Sequence, residues 1–74
     1  MAMTEITFSV VLRKGDEQRT WEIRHDEASG VTSYRVTAPG HAWMGGLQSR
    51  EDVGRKRAEF EAQIAAARAD GWSD

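Results

Sequence analysis

The chain contains no cysteine and a single proline. Without cysteine it has no disulfide to reinforce a small core and no thiolate to act as nucleophile or soft metal ligand. No apolar run approaches the ~20 residues that a membrane-spanning helix needs. The stretch Met1 to Glu5 has neither a basic start nor an apolar segment of signal-peptide length. These absences give the expectation of a cytoplasmic protein that does not engage the membrane.

Basic excess is also missing. Ten Lys and Arg face twelve Asp and Glu, a formal net charge of −2. A dedicated nucleic-acid binder usually carries a basic surplus, so any such role must come from a local patch. At 74 residues the chain is one domain with one modest core.

Catalytic patterns are absent as well. Ser9, Ser29, Ser33, Ser49 and Ser73 all lack the G-x-S-x-G setting of an activated serine. His25 and His41 are the only histidines. His25-Asp26-Glu27 puts three polar groups in sequence, but neighbours in a strand point to opposite faces. Zinc needs three or four converging ligands, and this spacing supplies none. Gly45-Gly46 fits neither phosphate-loop glycine pattern. It reads as relief of crowding where the sheet ends and the helix begins. The sequence therefore predicts no enzyme, no metal, no cofactor and no small-molecule ligand.

What is present is regular patterning. Ile6, Phe8, Val10 and Leu12 alternate with Thr7, Ser9, Val11 and Arg13, the period of a half-buried strand. Gly15 marks a turn, and Trp21 and Ile23 then alternate with Thr20, Glu22 and Arg24. After a polar loop from Asp26 to Gly30, Tyr34 and Val36 alternate with Ser33, Arg35 and Thr37. Pro39-Gly40 is a turn signal. If it closes a two-residue hairpin, Val36 lies opposite Trp43 and Thr37 opposite Ala42, giving a short fourth strand near Ala42 to Met44. Gly45-Gly46 is then expected to end the sheet.

Ser49 suits a helix N-cap, with Glu51 and Asp52 favourably placed at the positive end of the helix dipole. The helix is expected to run to about Asp70. Gly71 is suited to its C′ position, and Trp72 to folding back on Ala67. Val53, Phe60, Ile64 and Ala67 fall on one stripe that should pack on the sheet. The fold class is α+β: three or four antiparallel strands covered by one long C-terminal helix.

Three surfaces remain as binding candidates. The outer sheet face should carry Arg13, Arg24 and Arg35, one from each main strand, with Met44 beside them. Arginines so placed could reach guanine edges or phosphates in a DNA groove. Glu5 and Glu22 are expected on the same face as their ion-pair partners. On the helix, Ala58, Ala62, Ala65 and Ala69 recur opposite the core stripe, a small-residue seam that would let two helices approach. Alanine also fills exposed helix positions simply because it is the best helix former. Arg55-Lys56-Arg57 is the one basic run, and Glu51, Asp52, Glu59 and Glu61 stand four residues from its members. That spacing makes it a solvated face of i,i+4 ion pairs. Finally, three tryptophans in so short a chain leave room for one as a partner anchor.

Trp21-Glu22-Ile23-Arg24, His41-Ala42-Trp43-Met44-Gly45-Gly46-Leu47 and the helix opening Ser49-Arg50-Glu51-Asp52 together resemble plant AP2 domains. Tyr34-Arg35-Val36 through Phe60 is similar to the N-terminal arm-binding domains of tyrosine integrases. Both families back a three-stranded sheet with a helix and bind DNA through the sheet face. The resemblance implies that Arg13, Arg24 and Arg35 would face DNA. The residues themselves favour a non-catalytic interaction module, a small bacterial-type regulatory or accessory protein. Its partner would be another protein or a second copy, met through the open sheet face or a sheet edge. DNA binding through the outer face is the alternative.

Overall fold

The computed structural model describes residues 4–74, so the expectation drawn from residues 1–3 lies outside it. Four strands, β1 (Thr4–Lys14), β2 (Glu17–Asp26), β3 (Val31–Ala38) and β4 (His41–Leu47), precede one helix, α1 (Arg50–Ala69). All neighbours are antiparallel and the order is β1-β2-β3-β4, a simple meander.

Each turn has a local cause. Gly15 takes φ +61° in the two-residue β1–β2 turn, a conformation that suits glycine. In the β2–β3 loop the Asp26 carboxylate accepts the Ala28 N–H at 3.0 Å, and the Asp26 carbonyl accepts the Gly30 N–H at 2.8 Å. Asp26 thus closes β2 and is not part of the loop. The Pro39-Gly40 hairpin does form, with Gly40 at φ +73°. Val36 faces Trp43 and Thr37 faces Ala42, as the turn spacing requires.

The fourth strand is longer than expected, because it runs straight through Gly45 and Gly46 to Leu47. Gly45 has a specific reason. A Cβ there would lie 2.6 Å from the Tyr34 ring, which lies across the glycine. The glycine therefore makes room for a ring within the sheet, not for the helix start.

Strand β1 departs from its alternation. Register shifts between Ile6 and Phe8, so that Ile6 pairs with Arg24 and Phe8 with Ile23. Paired residues of an antiparallel sheet share a face. This bulge therefore turns Ile6 to the outer face, where it is 56% exposed, instead of the core. It also moves Glu5 off the outer face, opposite His25.

The helix begins as the sequence indicates. The Ser49 hydroxyl accepts the Asp52 N–H at 3.1 Å. It ends in a Schellman motif: Trp72 N–H donates to the Ala67 carbonyl at 3.0 Å and Gly71 N–H to Arg68 at 3.1 Å. Gly71 takes φ +97° to allow this. The motif swings Trp72 into the core, and Ser73 then exchanges two backbone hydrogen bonds with Arg13 on β1 (2.7 and 3.0 Å).

The buried core is Leu12, Trp21, Ile23, Phe60, Ile64, Ala67 and Trp72. None of these belongs to β3 or β4, so the helix and tail cover the β1–β2 half of the sheet. Phe60 is the hub, its ring 6.1 Å from Phe8 and 5.9 Å from Tyr34. Trp21 Nε1 donates to Gln63 Oε1 at 3.1 Å, which satisfies its one polar atom. Gly45→Ala should cost about 1–3 kcal/mol through forced displacement of the Tyr34 ring. Urea unfolding of the single and Gly45→Ala/Tyr34→Ala variants checks this. The cost should shrink once the ring is gone, and an additive double variant would exclude the contact as its cause.

Candidate binding surfaces

Arg13, Arg24, Arg35 and Met44 do share the outer face of the sheet. The register stacks Ser9, Glu22, Arg35 and Met44 in one row, Ile6, Arg24, Ser33 and Gly46 in another, and pairs Arg13 with Gln18 at one end. The arginines are not equally available. Arg24 is held by the Glu22 carboxylate, and Glu22 lies directly across from Arg35. Arg13 Nε donates to Gln18 Oε1 at 3.3 Å. Ile6, Val11, Val31 and Met44 stand exposed among these charges. The outer face is therefore mixed: Met44 and Val11 stand where the alternation puts them, Ile6 was assigned to the core, and Val31 was not placed.

The opposite face holds a groove. The helix covers the inner side of β3 and β4 only in part, and the space left between is about 690 Å³. Tyr34, Val36 and Trp43 form its floor, with Lys56, Phe60 and Gln63 from α1 as its wall. Lys56 Nζ sits 4.6 Å from the Tyr34 ring centroid while pairing with Glu59 at 3.0 Å. Arg19 closes one end, its guanidinium 5.3 Å from the Trp72 ring and 5.9 Å from Trp21. Arg19 was readable in principle, because it continues the inward alternation of Trp21 and Ile23. Trp43 is 47% exposed at the rim and lies against His41 with ring centroids 4.2 Å apart.

Beside the groove runs the β4 edge. In a two-residue hairpin Ala38 and His41 form the closing hydrogen-bonded pair. Alternation then aims the backbone N–H and C=O of Ala42, Met44 and Gly46 away from β3. Strand β4 carries no Asp, Glu, Lys, Arg or Pro. The other edge, β1, is bulged and partly covered by Ser73.

The remaining candidates are placed as follows. Ala58, Ala62, Ala65 and Ala69 are all exposed on the helix. The helix charges pair as Arg55–Glu51 (3.4 Å), Arg55–Asp52 (4.0 Å), Lys56–Glu59 (3.0 Å) and Arg57–Glu61 (3.6 Å). Lys56 thus takes Glu59, one turn ahead, in place of Asp52. His25 Nδ1 shares a hydrogen bond with Thr32 Oγ1 at 2.8 Å, while Asp26 serves its own loop. Among the described residues no three His, Asp or Glu side chains converge as metal ligands, and no helix is long and apolar enough to cross a membrane. No family model, no curated protein and no solved structure matches the chain.

At low protein concentration iodide should quench Trp43 and leave Trp21 and Trp72, at 2% and 8% exposure, almost untouched. Stern–Volmer analysis of Trp43→Phe checks this. A quenchable component that survives the substitution would contradict the exposed position of Trp43.

Proposed function

We propose that this chain is a non-catalytic interaction module of the cytoplasm that binds an extended strand of a protein partner or a second copy along β4. The observation that carries the reading is the β4 edge itself: seven residues, uncharged and unbulged, beside an aromatic groove. Strand addition draws affinity from main-chain hydrogen bonds and specificity from pockets for alternate side chains. Here the outward groups of Ala42, Met44 and Gly46 would supply the first, and the groove between Trp43 and Lys56 the second. Proteins normally guard such an edge with charge, proline or a bulge.

A random heptapeptide library displayed against the immobilised protein tests this. Selected peptides should alternate apolar residues, and their amide shifts should map to β4 and the groove. Met44→Pro should abolish binding and leave the circular dichroism spectrum unchanged, since the lost N–H points away from β3. Shifts confined to α1, or binding that survives Met44→Pro, would refute strand addition.

The second reading is DNA binding through the outer face, favoured by the placement of Arg13, Arg24 and Arg35 on one surface. It is also what the resemblance to AP2 and integrase arm-binding domains implies. It predicts amide shifts around these arginines on adding mixed-sequence duplex DNA at low salt, weakened by added salt and by Arg24→Ala or Arg35→Ala. An unchanged spectrum at low salt would eliminate it.

A further inference from the structure

We propose that the occupant of the β4 edge is the β4 edge of a second copy, paired antiparallel about a two-fold axis at Met44. This rests on the reading of β4 as the binding edge and names its partner. The joined sheet would have eight strands, with both helices on one side and the two grooves meeting at the seam.

The first argument is the contrast between the two edges. The β1 edge has a bulge at Ile6/Phe8 and the Ser73 bridge at Arg13. The β4 edge has neither, and its pairing with β3 is unbroken from His41 to Leu47. An edge left flat and apolar on one side alone is a template for another strand.

The second argument is Gly46. It does not take positive φ, and a Cβ built on it would meet nothing within 4 Å. Nothing inside the chain requires glycine at a position where it weakens the strand. Strand glycines of this kind mark sites where another backbone approaches closely.

The third argument selects the copy over other chains. Met44 is the central residue of the seven-residue β4. Its N–H and C=O point outward, so an antiparallel pair can be centred on it. That register sets Ala42 against the copy's Gly46, Trp43 against its Gly45 and His41 against its Leu47. Each Trp43 then has a glycine opposite, beside the Tyr34 ring that crosses that glycine. Met44 meets itself, and a flexible thioether chain tolerates this. Trp43 (47% exposed) and Met44 (72% exposed) would both leave water. No charged residue of β4 is brought opposite its own copy, because there is none.

The chain has no cysteine, which makes a clean test available. A hydrogen-bonded antiparallel pair sets Cα atoms about 5.5 Å apart, inside the disulfide range. Sedimentation equilibrium from micromolar to millimolar protein should show a doubling of mass with concentration. Met44→Cys should oxidise to a covalent dimer, whereas Val11→Cys on β1 should not. Met44→Pro should stay monomeric with its circular dichroism unchanged. A wild type that stays monomeric at millimolar concentration would overturn the proposal. So would a dimer that persists in Met44→Pro or fails to cross-link at position 44, as a seam on the exposed alanine face of α1 would give. A monomer that still takes library-selected extended peptides at β4 would sink only the second copy, and one that takes neither would sink the binding-edge reading too.

Discussion

A single helix with its side chains is about 10 Å across, while the axes of four neighbouring strands span roughly 14 Å at ~4.8 Å spacing. One helix cannot cover such a sheet, and where it settles decides what stays open. Here it settles on β1 and β2, and the tail holds it there. Leu12, Trp21 and Ile23 put the bulky inward residues on β1 and β2, and Phe60, Ile64 and Ala67 close on them. Trp72 then fills the end of the same half, and the Arg13–Ser73 hydrogen bonds anchor it. The β3–β4 half is left with Tyr34, Val36 and Trp43 along an unfilled groove.

The C-terminal turn does more than stop the helix. The Schellman hydrogen bonds fix the direction in which the chain leaves, and that direction delivers Trp72 to the core and Ser73 to β1. Burying a large aromatic is worth about 1.5–3 kcal/mol, a sizeable share of a small domain's net stability. The same few residues therefore complete the core, seat the helix over β1–β2 and cover one sheet edge. The turn gives β4 no such cover: that strand pairs with β3 alone.

Much of this architecture was legible in the sequence. Alternation located three strands, the Pro39-Gly40 spacing fixed the β3–β4 register, and Ser49, Gly71 and Trp72 marked both helix ends. Legibility failed where a residue answers to a distant neighbour. Ile6 continues the apolar alternation of β1, yet one extra residue in the pairing turns it outward. Alternation cannot register a bulge, since the pattern along one strand is unbroken. Gly45 looked like punctuation because the ring that crosses it comes from Tyr34 on another strand. The arginine face was placed correctly and a sheet edge was expected as a contact surface, but the groove and the choice of the β4 edge were not foreseen. They depend on which half of the sheet the helix covers, and the helix stripe reads the same for either half.

The two sheet faces and the edge differ in what they ask of a partner. On the outer face Arg24 is already satisfied by Glu22, and Arg35 lies across from that same carboxylate. A polyanion docking there must compete with an internal acid, and exposed ion pairs of this kind contribute little either way. The β4 edge has no such internal competitor. Its outward amides and carbonyls lie beyond the β3 ladder, open to solvent, and Trp43 and Met44 flank them with apolar surface. Exchanging that water for a strand keeps the hydrogen bonds and adds apolar burial, so the net gain comes mainly from the side chains. This is why Trp43 and the glycines opposite it in a self-paired register matter more than the backbone ladder. Any strand can supply the ladder, so what the Trp43 and Met44 side chains meet across the seam decides between partners.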